Sequence, residues 1–127
     1  MAANSLKRVE TAETPRTRGP IDLVHLRKQT LGDPGLELEV LRLFDQMSHV
    51  YYSRLETSTT VSDLLVNLHT LKGAASGIGA FGLAELARVA EGELRDGAAV
   101  NPERIEDLHA AVEELSSFIS ARLKAAA

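Results

Sequence analysis

The chain has no cysteine and no tryptophan. The first absence excludes disulfides and thiolate metal sites and leaves nothing that points to an oxidising compartment, so a cytoplasmic location is expected. Aromatic residues are scarce, at 4% of the sequence, and alanine and leucine dominate the apolar set. These residues lose little rotamer freedom in a helix, so the composition favours helix over sheet. No run of about 18 apolar residues occurs, and the first 20 residues lack the continuous apolar segment of a secretory signal, so neither a membrane span nor export is expected. A clustered basic surface is missing too. Net charge is -4; Lys7, Arg8, Arg16 and Arg18 against Glu10 and Glu13 make the first 19 residues +2, which leaves -6 on the remainder. An acidic body argues against nucleic acid as a partner, because phosphate contacts need concentrated positive charge. What is present is ordinary for a folded chain: 127 residues, 44% hydrophobic and 25% charged, enough for one domain.

Residues 1–19 show no apolar periodicity and end near Pro15, Gly19 and Pro20, so they are expected to form a flexible tail, with the folded domain over 20–127. From Pro20, the stripe Ile21, Leu23, Val24 and Leu26 fits a helix of about ten residues that stops around Leu31 and Gly32. Asp33 and Pro34 then suit the N-cap and first position of a second helix, where proline's missing N–H costs nothing. This helix carries Leu36, Val40, Leu43, Phe44, Met47, Val50 and Tyr51 as its apolar face and runs to about Leu55. Val61, Leu64, Leu68, Leu71, Ala75 and Ile78 alternate by three and four, the seam of a third helix that Gly79 to Gly82 would end. A fourth helix turns Leu83, Leu86, Ala90 and Leu94 inward and stops at Asp96 and Gly97. A fifth opens at Asn101 and Pro102 and continues through Ile105, Leu108, Val112, Leu115 and Ile119 to about Leu123. Short connections force neighbours to run antiparallel, so the expected fold is all-α: an up-down-up-down four-helix bundle with a short additional N-terminal helix over one end.

The third helix holds the residues with chemical potential. At about 100° per residue, His69 lies well away from the seam of Leu64, Leu68, Leu71 and Ala75, so it is expected to face solvent. Leu65, Lys72, Gly73 and Ser76 fall within about 60° of it and form one patch. Lys72, three residues on, places an ammonium within reach of any group attached to the imidazole and favours the neutral, nucleophilic ring. Gly73 costs about 1 kcal/mol relative to alanine inside a helix, so some other requirement must offset it. The run Gly73-Ala74-Ala75-Ser76-Gly77 offers a smooth backbone over which a second protein's active site could close; close helix packing is the alternative explanation and suits Ala75.

The segment His69-Thr70-Leu71-Lys72-Gly73-Ala74-Ala75, with Gly79-Ala80 downstream, resembles the signature of histidine-containing phosphotransfer (HPt) domains. Gly32-Asp33-Pro34 through Phe44 is similar to the start of that family's second helix, and Leu83-Ala84-Glu85-Leu86-Ala87 through Glu91 to its next one, so residues 20–124 are covered. Leu68 stands where the family usually has alanine, and Ala90 where a larger aliphatic is common. The resemblance implies that His69 accepts a phosphoryl group from a receiver-domain aspartate and passes it to another receiver. It further implies that Lys72 stabilises the phosphoryl group and Gly73 admits the receiver. Partners would be response-regulator receiver domains and a hybrid histidine kinase. The chain would need no cofactor of its own, Mg2+ being expected on the receiver. It would be a phosphocarrier and not an enzyme, since its sequence holds no Walker-type or kinase-type glycine loop. Leu65, Ser76 and Gly77, with Ile21 or Val24 from the covering helix, are the expected docking residues. A monomer is expected, since no long exposed apolar face demands dimerisation.

Two other readings compete. The bundle could be an adaptor that docks and regulates a receiver or kinase without carrying phosphate. Glu106 and His109 also have the i, i+3 spacing of carboxylate-bridged di-metal bundles, but Gln46 stands three before His49 where a second glutamate would be needed. His25 and His49 are expected to be partly buried and hydrogen-bonded.

Overall fold

The computed structural model describes residues 19–127. The tail expected over 1–19 lies outside the described residues except for Gly19, where an added Cβ would come within 3.5 Å of the Phe118 ring. Five helices follow: α1 (Leu23–Gln29), α2 (Pro34–Thr57), α3 (Val61–Ile78), α4 (Phe81–Arg95) and α5 (Pro102–Ala126). Helices α2 to α5 close a ring in which α2 packs on α3 and α5, and α4 packs on the same two, while α1 lies on α3. The architecture is the all-α, antiparallel four-helix bundle with a short extra helix that the apolar spacing implied.

Local signals set the helix ends. Asp33 Oδ1 accepts the Leu36 N–H at 3.2 Å, Thr60 Oγ1 the Asp63 N–H at 3.0 Å and Asn101 Oδ1 the Glu103 N–H at 2.9 Å, each satisfying a donor that the helix itself leaves free. Gly79 ends α3 in the left-handed region, at φ 90°. A side chain there would also bring Cβ to 2.9 Å from the Asp22 carbonyl oxygen, so glycine is required both by the turn and by the approach of the α1 lead-in. Only Gly79 and Ala80 separate α3 from α4, so Gly82 belongs to α4 and does not help to end α3 as the sequence suggested. Helix α1 is seven residues long, shorter than expected, because Asp22 caps it by accepting the Val24 and His25 N–H groups.

The core comprises Leu26, Leu41, Phe44, Leu68, Leu71, Ala75, Ala87, Leu108, Val112 and Ile119 with their neighbours. Helices α3 and α5 bury the expected seams, except that Val61 in the first turn of α3 is exposed and Ile105 is half-buried. Leu86, expected to point inward, is also only half-buried. Helix α2 departs furthest. Its inward row is Glu37, Leu41, Phe44, Ser48 and Leu55, while Leu36, Leu43 and Val50 stand exposed. Two apolar rows overlap at Phe44, and polar Glu37 and Ser48 disguise the inner one. Ser48 is accommodated because its hydroxyl donates to the Asp45 carbonyl at 3.0 Å, and the Glu37 carboxylate meets Arg27 at 3.4 Å.

Leu31 adopts φ 55° at the end of α1 and is 92% exposed. A left-handed conformation costs a non-glycine residue about 1–2 kcal/mol, and this side chain recovers nothing by packing. Leu31→Gly is therefore expected to leave thermal stability unchanged or raise it by up to about 1 kcal/mol in urea unfolding, the gain being limited by glycine's extra unfolded-state entropy. A clear loss of stability would show that the leucine is held by contacts.

Candidate functional site

His69 projects from the middle of α3 with 66% of its side chain exposed, as its angular position required. The feature invisible in the sequence lies beneath it. Glu91, on the inward side of α4 among Ala87, Ala90 and Leu94, is 6% exposed and reaches across to α3. The His69 Nδ1 atom lies 3.2 Å from Glu91 Oε2. Arg95, one turn further along α4, donates to the same oxygen through Nη2 at 2.8 Å and Nε at 3.2 Å. Lys72 Nζ is 3.0 Å from the other oxygen, Oε1, a charge contact outside hydrogen-bond geometry.

Burial pushes the Glu91 carboxyl up, but the hydrogen bonds from Arg95, the contact and charge of Lys72 and the hydrogen bond from His69 outweigh it and hold the group at about 2. An ionised carboxylate can only accept, so the proton of a neutral His69 ring resides on Nδ1. The lone pair is then on Nε2, on the far side of the ring. One carboxylate against Lys72 and Arg95 leaves the cluster on the Nδ1 side of the ring with a net positive charge of one. Lys72 is therefore no lone cation acting on the ring, as the sequence reading had it: the group nearest the imidazole is an anion, and the lysine is its counter-ion.

Space is open around the histidine. A Cβ added at Gly73 or Gly77 would meet no atom within 4 Å, so no packing inside the chain requires glycine at either position. Ala75, by contrast, is fully buried, so close packing does explain that small residue. Ser76 and Gly77 are exposed and Leu65 is half-buried. Val66, which the sequence reading passed over, is an exposed apolar side chain three residues before His69. Val24 of α1 is also exposed, but Ile21 is fully buried and is a core residue, which removes it from the expected docking surface. The apolar groove beside Pro20, Phe81, Leu86 and Leu115 does not include His69, so the histidine stands on an open surface, outside that groove.

The remaining histidines do other things. The His25 Nε2 atom is 3.1 Å from the Gly77 carbonyl, and its ring meets Phe81 edge-on, which ties α1 to α3 and α4. The His49 Nε2 atom lies 3.2 Å from Ser116 Oγ and 3.5 Å from Asp45 Oδ1, with the ring itself exposed. His109 stacks on Tyr52 and lies 3.6 Å from Glu113, on the surface. Glu106 is exposed as well, so Glu106 and His109 do not form the inward pair that a di-metal bundle needs. Among the described residues no three His, Asp or Glu side chains gather as a metal-ligand set, and no helix is long and apolar enough to cross a membrane.

No curated protein matches the chain by sequence. Among solved structures, the histidine phosphotransferase ShpA from Caulobacter crescentus is similar, with a TM-score of 0.64 and 27% identity over 84% of this chain and 92% of that one. The Hpt domain profile matches residues 39–118, which take in all of α3 and α4 and hence His69, Lys72, Glu91 and Arg95. With more than half its length matched, the chain belongs to the Hpt domain family, the phosphotransfer domains of phosphorelays.

Proposed function

We propose that His69 is the phosphoacceptor of this domain, taking a phosphoryl group from a receiver-domain aspartyl phosphate and returning it to the aspartate of another receiver. The observation that carries this reading is the hydrogen bond between Nδ1 and the ionised Glu91, which directs a lone pair on Nε2 outward from an exposed ring. That lone pair attacks phosphorus in line; the N–P bond forms, the P–O bond to aspartate breaks, and the electron pair leaves with the aspartyl carboxylate. The positive charge that develops on the ring is offset by Glu91 through the retained Nδ1–H contact. Lys72, within one turn of His69, supplies a cation for the phosphoryl oxygens, and open Gly73 leaves room for the receiver. Mg2+ and most of the charge stabilisation come from the receiver, so this chain contributes a positioned nucleophile and no cofactor. It is inferred not to phosphorylate itself from ATP.

The receiver is expected to seat on the open side of α3, over Leu65, Val66, Gly73, Ser76 and Gly77, with Val24 of α1 at its edge. A monomer, a domain spanning 20–127 and a hybrid histidine kinase upstream complete the reading. Incubation with a panel of phosphorylated receivers is expected to leave acid-labile, alkali-stable label on the chain. Stable binding to a receiver that transfers no label would favour the adaptor reading and overturn this one.

A further inference from the structure

Glu91 has one negative charge and two cationic partners, and the two are held differently. Arg95 lies on the same helix, four residues on, and offers two nitrogens to Oε2, so its planar guanidinium is fixed in orientation. Lys72 comes from α3 and touches only Oε1, at 3.0 Å and off the hydrogen-bond direction, leaving that buried oxygen without a hydrogen bond. The guanidinium is thus a directional partner and the ammonium a loose one on a flexible stem. A phosphoryl group on His69 Nε2 would bring close to two negative charges within reach of Lys72. The lysine can turn to it only if the carboxylate it leaves, 6% exposed, is not stranded as an unpaired buried charge.

We propose that Arg95 is a positioning residue that keeps Glu91 neutralised, so that Lys72 is free to move from the carboxylate to the phosphoryl group on His69. This rests on His69 being the phosphoacceptor and adds to that reading the step by which its cation becomes available. Without Arg95, Lys72 is the last counter-ion of a buried carboxylate and stays there, and the phosphohistidine loses its charge partner. With Glu91 neutral as well, nothing retains Lys72, and the need for Arg95 disappears.

The test uses the full chain labelled with phosphoramidate, a small-molecule donor that phosphorylates histidine directly, with His69→Gln as the background for the other histidines. The lifetime of the label on His69 is compared in wild type, Arg95→Gln, Glu91→Gln and the Arg95→Gln/Glu91→Gln double variant, each first checked for native helicity and melting. Arg95→Gln is expected to shorten the lifetime by about tenfold, the scale of one lost charge-assisted hydrogen bond. The double variant is expected to return to the lifetime of Glu91→Gln alone, because a neutral amide does not hold the lysine. An unchanged lifetime in Arg95→Gln overturns the proposal. A shortened lifetime that Glu91→Gln fails to rescue also overturns it, by showing that Arg95 acts on the phosphoryl group directly. Absence of specific label from the wild type would overturn the assignment of His69 itself, and this proposal with it.

Discussion

Replacing His69 with glutamine is expected to abolish uptake of phosphoryl label from any receiver while leaving the bundle intact. The imidazole is 66% exposed and contributes nothing to the buried core, so its loss removes a nucleophile and no packing. Glutamine is a better helix former than histidine and its amide N–H can still donate towards Glu91, so the buried carboxylate keeps a third partner beside Arg95 and Lys72. Thermal unfolding should therefore shift by no more than the roughly 0.5 kcal/mol typical of surface substitutions. Label, in contrast, should fall to background, since an amide nitrogen has no free lone pair with which to form an N–P bond. His25, His49 and His109 are not expected to substitute: their Nε2 atoms lie against the Gly77 carbonyl, Ser116 and Glu113 respectively, and no lysine is paired beside them among the described contacts. Residual label in His69→Gln at the wild-type level would place the acceptor elsewhere.

Neutralising Glu91 is expected to change both the acid stability of the fold and the rate of transfer. The carboxyl sits at about 2 in the folded chain against an ordinary value of 4.5. A depressed folded value means that the unfolded chain binds the proton first, so this stabilisation is complete above about pH 4.5 and is lost as the pH falls through about 2. The sign is set by the partners that only the folded chain brings together, Arg95, Lys72 and His69 around one carboxylate. Urea unfolding of the wild type should therefore weaken as the pH falls from 4.5 towards 2 beyond the loss shown by Glu91→Gln, and the difference between the two proteins should be flat near pH 7. Parallel pH profiles for the two would remove Glu91 from the account of stability. Glu91→Ala should be harsher than Glu91→Gln at neutral pH. It leaves Arg95 and Lys72 to repel each other without an anion and releases the Nδ1 side of His69; a loss of about 10- to 100-fold in transfer is expected, by analogy with the loss when the partner that orients a metal-binding imidazole is removed.

The parts of this account that were legible in the sequence share a property: each is contained within a single helix or a single turn. The three- and four-residue spacing of Leu64, Leu68, Leu71, Ala75 and Ile78 gave both the seam of α3 and, by rotation, the exposure of His69, Lys72 and Gly73 on another face. Asp33 with Pro34, Asn101 with Pro102, and Gly79 likewise announced helix ends through local chemistry that the structure retains. The partner of His69 was not legible, because Glu91 is 22 residues away and is joined to it only by the packing of α4 on α3. Its one available signal was a glutamate among Ala87, Ala90 and Leu94 on an otherwise apolar face, with an arginine one turn later. The face of α2 was misread for the opposite reason. Leu36, Leu43 and Val50 supply a regular apolar row, yet the chain buries Ser48 and Glu37 and leaves that row exposed, since the hydroxyl and the carboxylate both find partners in place. Periodicity identifies apolar rows, but it does not say which of two overlapping rows the neighbouring helices will cover.

The most direct test of the central claim is the identity of the phosphorylated nitrogen. Nitrogen-15 spectra of the histidine side chains, recorded before and after phosphorylation, distinguish Nδ1 from Nε2 and one ring from another. The expected result is a His69 ring that carries a proton on Nδ1 before and after transfer, with phosphorus bonded to Nε2 of the same ring afterwards and His25, His49 and His109 unchanged. Phosphorus on Nδ1, or on a different histidine, would contradict the account, because the hydrogen bond to Glu91 would then lie where the transferred group has to be.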